Sequence, residues 1–367
     1  MVSQDFSGMM ARTTRRMALA GIAGLAILGA ASLPAKADTI TLRAGSGHPP
    51  VLPYVDQFKA YFIPEFTKRV KEATGDDVKF IEAYGGSVAK LPEVFDAVEK
   101  GLLDIGLQST PFEPVNLFLA NYAYKAPFGT PDPVRAGQIA REIYNAIPEM
   151  NTSVEGKGIQ VLAVLAASNY NIITTAPWKT LKDLEGRKIQ AAGPNLPWLR
   201  PANAVPVQGG LGQAYNNMQT GVSEGMLIHY QGMMGFKLYE PAKYIAQIDF
   251  GALPINMLLM NKKRYDSLPA EVQKILHEVS LVYEEKVNKA NADRDKDAID
   301  KMVAAGATLL KIDDSVKAEW AKGVAFLPKE AADEGSGMGL PMKAVLQKYI
   351  DISKKDGFAA MDAYNLN

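Results

Sequence analysis

One stretch of the sequence, residues 267–306, restricts the fold more than any other. Its apolar residues recur every three or four positions, which is the spacing of one face of an α-helix. They are Val272, Ile275, Leu276, Val279, Tyr283, Val287 and Ala290. Ser267 is placed to cap such a helix, and Pro269 would lie in its first turn, where proline is tolerated. The apolar pattern weakens through 293–297 and resumes before Gly306.

A helix of about 36 residues is about 54 Å long, since each residue adds about 1.5 Å. No single domain in a chain of 367 residues needs a helix of that length. A coiled coil is excluded, because the stretch has no second, charge-flanked heptad seam. We therefore expect one helix that lies across two domains.

Short β-prone runs alternate with helical patterns in the first part of the chain. Residues 40–44, 78–83 and 103–107 read as strands, and helical spacing separates them. Pro64 should kink the first of these helices or mark a break in it. The alternation predicts an α/β fold with mostly parallel sheets flanked by helices.

We expect the chain to cross between the domains near residues 166–170 and to return through a strand at 253–261. The first domain is then 38–167 with 254–290, and the second is 168–253 with 291–367. Further strands are predicted at 159–166, 170–175, 188–192, 226–228, 244–247 and 308–310, and a helix at 211–220. The C-terminal helices should pack on the second domain.

Composition excludes several classes of function. The chain has no Cys, so it has no disulfide, no catalytic thiolate and no Cys-based metal site. Its three His lie far apart, without the spacing of a metal motif. Lys+Arg and Asp+Glu balance at 40 each, which gives no sign of a nucleic-acid partner. Phosphate loops and nucleophile motifs are absent as well, so we expect neither a cofactor nor an enzyme.

The first 37 residues are typical of a removable export signal. A basic start with Arg15 and Arg16 precedes an uncharged apolar stretch at 17–33, and Ala35-Lys36-Ala37 is a cleavage site. The arginine pair favours twin-arginine export, with the general secretory route as the alternative. No later stretch is long and apolar enough to span a bilayer. We expect a periplasmic protein, cleaved after Ala37.

Polar residues follow the predicted strands of the first domain. Ser46 and His48 come after the first strand, and Gln108 and Ser109 come after the third. Ligands of α/β sheets bind at the carboxyl ends of the strands, so these side chains are candidates for ligand contact. The alternative is that they are turn formers and helix caps.

The segment at 180–192 carries a resemblance to a known family. Asp183, Leu184, Gly186, Lys188 and Ile189 match the signature of the substrate-binding proteins of TRAP (tripartite ATP-independent periplasmic) transporters. The segments at 214–225 and 259–273 are similar to further stretches of that family, as are Gly101, Asp104 and Pro127-Phe128. The resemblance covers nearly the whole chain after the export signal.

This resemblance implies a periplasmic binding protein fold of two domains, with the ligand between them. It implies that hinge closure presents the ligand to a membrane permease of a small and a large subunit. It also implies a monomer or weak dimer without catalytic activity. A binding protein of an ABC transporter or of a sensor is the alternative. A secreted enzyme that uses His229, Tyr230 and Glu224 is a weaker one.

The sequence departs from the family where an arginine clamps the ligand carboxylate. Gln190 stands at that position, and Tyr170 stands at a second family arginine. The family's asparagine falls on Ile228, just before His229 and Tyr230. A buried carboxylate without a charged partner is costly. The ligand is therefore neutral or aromatic, or it is an organic acid held by another cation.

Several residues complete the predicted site. Arg200, near Trp198, is the first candidate for the other cation, and Lys125 and Arg135 are weaker candidates. Asn256, at the start of the returning strand, is the last ligand-contact candidate. The alternative interpretation of Trp198, Tyr170 and Tyr230 is that they are core aromatics, and that of Arg200 is a solvated helix residue.

Overall fold

The computed structural model describes residues 38–366, which form two β-sheets covered by helices. The predicted export signal lies outside the described residues. The strands are β1 (Thr39–Ser46), β2 (Asp77–Ala83), β3 (Ile105–Ser109), β4 (Ile159–Leu165), β5 (Tyr170–Thr174), β6 (Lys188–Ala191), β7 (Val205–Gln208), β8 (Gly225–His229), β9 (Tyr244–Gln247), β10 (Asn256–Asn261) and β11 (Thr308–Lys311). The helices are α1 (Pro53–Gln57), α2 (Ile63–Thr74), α3 (Val94–Glu99), α4 (Tyr122–Lys125), α5 (Pro133–Ala146), α6 (Glu149–Glu155), α7 (Leu211–Gln219), α8 (Tyr230–Gly235), α9 (Lys262–Asp266), α10 (Ala270–Ala304), α11 (Asp314–Gly323), α12 (Leu327–Gly337) and α13 (Met342–Lys355).

Each sheet is parallel except for one strand. The first sheet has the order β2-β1-β3-β10-β4, and the second has the order β11-β9-β5-β8-β6-β7. In the first sheet β10 runs antiparallel to both of its neighbours, and in the second β5 does. Both strands follow a segment that crosses between the sheets without an intervening helix. The prediction of mostly parallel sheets flanked by helices is confirmed.

The two crossing segments are hydrogen-bonded to each other. The chain leaves the first sheet after β4 and enters the second at β5, and it returns between β9 and β10. Asn169 and Ala252 form an antiparallel bridge. The Ala167 N–H donates to the Leu253 carbonyl at 2.7 Å, and the Phe250 N–H donates to the Tyr170 carbonyl at 3.1 Å. The two sheets are thus joined by a paired connector.

Strand β7 was not predicted. Its sequence contains Pro206, and proline cannot donate a hydrogen bond to a ladder. The structure places β7 at the edge of the second sheet, paired with β6 alone, which is where a sheet tolerates proline. Strand β3 begins two residues later than predicted and continues through Ser109.

A π-helical turn accommodates Pro64 in the first long helix. Residues Phe58–Phe62 form this turn between α1 and α2, and the Ile63 N–H donates to the Phe58 carbonyl. Pro64 follows at once, in the first turn of α2, where it needs no hydrogen-bond donor. The predicted kink is therefore a change of helical pitch that ends at the proline.

Helix α10 contains 35 residues and is about 52 Å long. It begins at Ala270, with Pro269 as the residue before its first turn. The predicted cap at Ser267 is wrong, because the Ser267 hydroxyl donates instead to the Arg264 carbonyl at 2.7 Å. The apolar face that the sequence predicts is buried along α10 from Val272 to Val287, and Ala290 is half-buried.

A second, polar face of α10 binds the edge of the first sheet. The Glu284 carboxylate accepts from the Val164 N–H at 3.0 Å, and the Asn288 side chain accepts from the Ala166 N–H at 2.8 Å. The Asn291 side chain donates to the Ala166 carbonyl at 2.9 Å. Strand β4 is an edge strand, so these side chains satisfy backbone groups that have no strand to pair with.

The C-terminal helices contact more than the second sheet. Trp320 of α11 is fully buried, with its ring centroid 5.1 Å from that of Phe250 and 6.0 Å from that of Trp178. Tyr349 of α13 instead lies 5.2 Å from the ring of Tyr122 in α4. Since α4 belongs to the segment assigned to the first domain, the C-terminal helices contact parts of both assigned domains.

Replacing Asn288 by alanine should lower the free energy of unfolding by about 1–3 kcal/mol, because the buried Ala166 N–H loses the Asn288 side chain as its acceptor. Lys289→Ala is the matched control on the next position. Lys289 is exposed and pairs with Asp293 one turn away, so its loss should cost less than about 0.5 kcal/mol. Urea unfolding of both variants measures the difference. Equal effects would contradict the role given to the polar face.

Candidate functional site

A cavity of about 40 Å³ is lined by residues of both sheets. The first sheet contributes Ser109 and Asn256, which face each other across the β3–β10 pairing. The second sheet contributes Tyr170 and His229, which are likewise partners in the β5–β8 pairing. His48, in the loop after β1, completes the polar lining. Strand ends of two sheets therefore converge on one cavity.

Ser109 and Asn256 bring free hydrogen-bonding groups to this cavity. Both residues are buried. Within residues 38–366, neither the Ser109 hydroxyl nor the Asn256 side-chain amide has a hydrogen-bond partner, and neither is sealed off from accessible space. The rest of the lining is largely apolar and includes Leu52, Phe112, Met226, Ile228 and Ile255. The cavity thus offers apolar contact together with a few polar groups, as small-molecule sites do.

His229 ends β8 and caps helix α8. Its Nδ1 accepts from the Gly232 N–H at 3.1 Å. The ring lies 5.3 Å from that of Tyr170, in an edge-on arrangement. Burial lowers the pKa of His229 to about 3, with a smaller contribution from the neighbouring His48. His229 is therefore neutral at physiological pH.

His48 is held by a small hydroxyl network. Its Nδ1 lies 2.7 Å from the Tyr54 hydroxyl, and its backbone N–H donates to the Ser46 hydroxyl at 3.1 Å. The Ser46 and Tyr54 hydroxyls are 3.3 Å apart. The His48 Nε2 is buried and has no hydrogen-bond partner among the described residues. Burial lowers the pKa of His48 to about 4.

Gln190 lies behind the cavity wall. Its side chain is fully buried, donates to the Gly210 carbonyl at 2.8 Å and accepts from the Asn217 side chain at 2.7 Å. Gly209 and Gly210 themselves line the cavity. Gln190 therefore positions the glycine pair and has both ends of its amide engaged within the protein.

Other predicted site residues lie away from the cavity. Trp198 is fully buried, and its indole N–H donates to the Tyr124 carbonyl at 2.8 Å. Arg200 is exposed, with its guanidinium 5.1 Å from the Phe326 ring centroid. The Tyr230 hydroxyl accepts from the Gln247 side chain at 3.4 Å. Gln108 donates to the Ser109 carbonyl at 2.8 Å. Ser46 reaches the site only through Tyr54 and His48.

The candidate cations do not line the cavity either. Arg135 is engaged by Asp356 at 2.7 Å and by Glu142 at 3.0 Å. Lys125 lies in a neighbouring groove of about 420 Å³ that shares Phe112 and the glycine pair with the cavity. Among the described residues, no Lys, Arg, Asp or Glu lines the cavity. The lining is uncharged.

Sequence reasoning missed three contributors to the site. Tyr54 reads as part of an amphipathic helix, and Asn291 interrupts the apolar face of α10, yet both line the cavity. The pair Gly209-Gly210 reads as a turn. A Cβ on Gly209 would lie 2.9 Å from the Gln190 side chain, and one on Gly210 would lie 3.2 Å from Phe112. A side chain at either position would therefore require Gln190 or Phe112 to shift.

A half-buried carboxylate lies beside the crossing. Asp295 of α10 accepts from the Ser168 hydroxyl at 2.8 Å and from the Gln231 side chain at 2.9 Å. Burial raises the pKa of Asp295 to about 6. Asp295 thus joins the first crossing segment to α8, the helix that His229 caps.

Comparisons with known proteins find solute-binding proteins. The family model for bacterial extracellular solute-binding protein, family 7 (DctP), matches residues 56–334. A solute-binding protein of Chromohalobacter salexigens is 23% identical over 327 residues, which is 83% of this chain and 90% of that protein. A solute-binding protein of Sulfitobacter sp. is 24% identical over 127 residues, which is 34% of this chain and 38% of that protein.

Solved structures of TRAP periplasmic solute-binding proteins share the fold. One from Bordetella bronchiseptica, with bound mandelate, has a TM-score of 0.74 and 21% identity, and the match covers 86% of this chain and 99% of that one. One from Sulfitobacter sp., with bound β-D-galacturonate, has a TM-score of 0.72 and 19% identity, and the match covers 84% of this chain and 99% of that one.

The buried histidines should make stability depend on pH. A histidine whose folded pKa lies below its unfolded value of about 6.5 destabilises the fold as the pH drops from about 6.5 toward the folded value. His229→Asn removes this titration, while its side-chain oxygen can still accept from the Gly232 N–H. Between pH 6.5 and 4, the wild type should lose about 1.4 kcal/mol per pH unit more than this variant.

Asp295→Asn should increase the loss of stability at acidic pH, whereas His229→Asn should decrease it. The folded pKa of Asp295 is raised, so protonation of Asp295 stabilises the fold as the pH falls from about 6 to 4. Its removal should therefore steepen the acid-induced loss of stability. Urea unfolding at pH 4.5, 5.5 and 6.5 measures both variants. Parallel pH profiles for the wild type and His229→Asn would show that His229 is not buried in its neutral form.

Proposed function

This chain belongs to family 7 of the bacterial extracellular solute-binding proteins, and we propose that it is the periplasmic solute-binding subunit of a TRAP transporter. The protein captures a small organic ligand in the cavity between its two sheets. It then delivers the ligand to a membrane permease of a small and a large subunit. Members of the family are receptors and not enzymes.

The observation that carries this proposal is the convergence of strand ends on one cavity. Ser109 and Asn256 come from one sheet, and Tyr170 and His229 come from the other. A ligand that contacts both pairs bridges the two sheets. Such a ligand favours the closed arrangement because it binds that arrangement better than an open one.

The hinge of this closure is the paired connector at 166–169 and 248–255. We assign residues 38–167 with 254–290 to the first domain and 168–253 with 291–367 to the second. Two-domain proteins that bind a ligand between their domains commonly close by rotation about a few residues between secondary-structure elements. Asn169 and Asn171 reinforce the connector, since the side chain of Asn171 accepts from the Ile248 and Asp249 N–H groups at 2.7 and 2.9 Å.

The ligand is a small organic acid or a neutral or aromatic compound held without a guanidinium clamp. The environment of Gln190 supports a ligand held without such a clamp, because the Gln190 amide is already hydrogen-bonded to Gly210 and Asn217. The uncharged lining of the cavity supports it as well. The relatives with mandelate and galacturonate hold organic acids, and the present cavity has no cation along its described lining.

Export places this protein in the periplasm, with residues 1–37 as the removed signal. The sequence at 15–37 supports this step. Within residues 38–366, no helix combines the length and the apolar character that a membrane span requires. The signal, the cleavage after Ala37 and the permease partner are parts of the same proposal.

A thermal-shift screen tests the proposal on the mature protein, which starts at Asp38. Small organic acids and their neutral analogues, aromatic and aliphatic, form the panel. A ligand at 100 times its Kd adds about 2.7 kcal/mol to the free energy of unfolding. Ser109→Ala should weaken binding of the hit by about 1 kcal/mol, because a hydrogen bond is lost.

Arg200→Ala is the matched control and should leave the shift unchanged, since Arg200 lies on the surface against Phe326. If Arg200→Ala abolished the shift while Ser109→Ala did not, the ligand would lie outside the cavity. If no compound in the panel raised the midpoint, the assignment as a receptor for such solutes would fail.

A further inference from the structure

The hydrogen bonds of His229 fix which of its ring nitrogens carries the proton. A backbone N–H can only donate, so the Nδ1 that accepts from Gly232 is unprotonated. In a neutral imidazole the proton then resides on Nε2. That N–H has no acceptor among the described residues. His229 therefore brings a neutral hydrogen-bond donor to the cavity it lines.

The hydroxyl network around His48 also places the ring proton of that histidine on Nε2. If Ser46 donates to Tyr54 and Tyr54 donates to Nδ1 of His48, every hydroxyl proton of the network has an acceptor. In the reverse direction Ser46 accepts from both Tyr54 and the His48 backbone, and its own proton has no acceptor. The first arrangement satisfies more groups, and it leaves Nε2–H as the free donor of His48.

Neither donor readily becomes a cation. A proton added to Nδ1 of His229 would point at the Gly232 N–H and abolish the helix cap. The ionisable group that faces His48 from α1 is Tyr54, and the one that faces His229 from β5 is Tyr170. Burial raises the pKa of both phenols, so both are neutral. The remaining rings against His48 are Phe112 and Phe236.

We propose that this site selects an uncharged ligand whose carbonyl oxygen accepts hydrogen bonds from the Nε2–H groups of both His48 and His229. Amides, lactams and ketones carry such an oxygen. The Ser109 hydroxyl and the Asn256 amide are then available for the other polar groups of the ligand. One donor comes from the loop after β1 and the other from the end of β8, so the shared oxygen also links the two sheets.

The site selects against acids because the described lining of the cavity carries no positive charge. A carboxylate would lose its hydration in the cavity and meet only neutral donors, which is costly for a charge. An acid would have to enter as its protonated form. Its apparent affinity would then fall about tenfold for each pH unit above the pKa of the acid, whereas the affinity of the amide would stay constant. This inference rests on the proposed function and narrows it to one class of solute.

Isothermal titration with matched amide and carboxylate pairs tests the inference. The probes are isobutyramide with isobutyrate and benzamide with benzoate, each at pH 6, 7, 8 and 9. At pH 8 an amide should bind at least tenfold more tightly than its carboxylate, with an affinity that does not change with pH. A carboxylate that binds more tightly than its amide at pH 8 would overturn the inference and leave the receptor function intact. Binding of no probe would count against both.

Two variants separate ligand contact from a merely structural role. His229→Asn keeps an acceptor for the Gly232 N–H but removes the Nε2 donor, so it should weaken amide binding about tenfold. His48→Gln keeps an N–H near the position of Nε2 and should lose less affinity than His48→Ala. The midpoint of unfolding at pH 8 shows that each variant is folded. Wild-type affinity for the amide in His229→Asn would overturn the proposal.

Discussion

The hydrogen bonds between the polar face of α10 and the first sheet hold the two halves of the fold in place. Glu284, Asn288, Asn291 and Asp295 lie on successive turns and bind the edge of β4 and then the crossing segment. Without them, buried backbone groups of an edge strand would have no partners. Because the same face continues to Gln231 beside the α8 cap, one helix sets the position of both walls of the cavity.

Much of the fold could be predicted from the spacing of apolar residues. Strand β9 was predicted with its observed bounds, and α10 was predicted as a single long helix, because burial on one face leaves a clear period. The polar face of α10 could not be found in this way. Glu284 and Asn288 look solvent-exposed in the sequence, and only the β4 edge, more than 100 residues earlier, makes their burial favourable.

The sequence predicted the site residues that lie at the carboxyl ends of strands. His48 follows β1, and Ser109 and His229 end β3 and β8, so the rule that ligands meet the carboxyl ends of strands brings them to one cavity. Trp198 and Arg200 lie in the 3₁₀ segment Gly193–Ala202. The sequence of this segment does not indicate which of its side chains face the cavity. The resemblance located position 190, but only the structure shows that Gln190 binds Gly210 and Asn217.

A crystal structure of the mature protein with the tightest-binding compound would show where the solute binds. We expect ligand density between the two sheets, within hydrogen-bond distance of Ser109 or Asn256 on one side and of His229 on the other. Density in the groove beside Lys125, or against Arg200 on the surface, with an empty cavity, would contradict it. Such a result would show that strand ends converging on an uncharged cavity do not mark the site of solute capture in this protein.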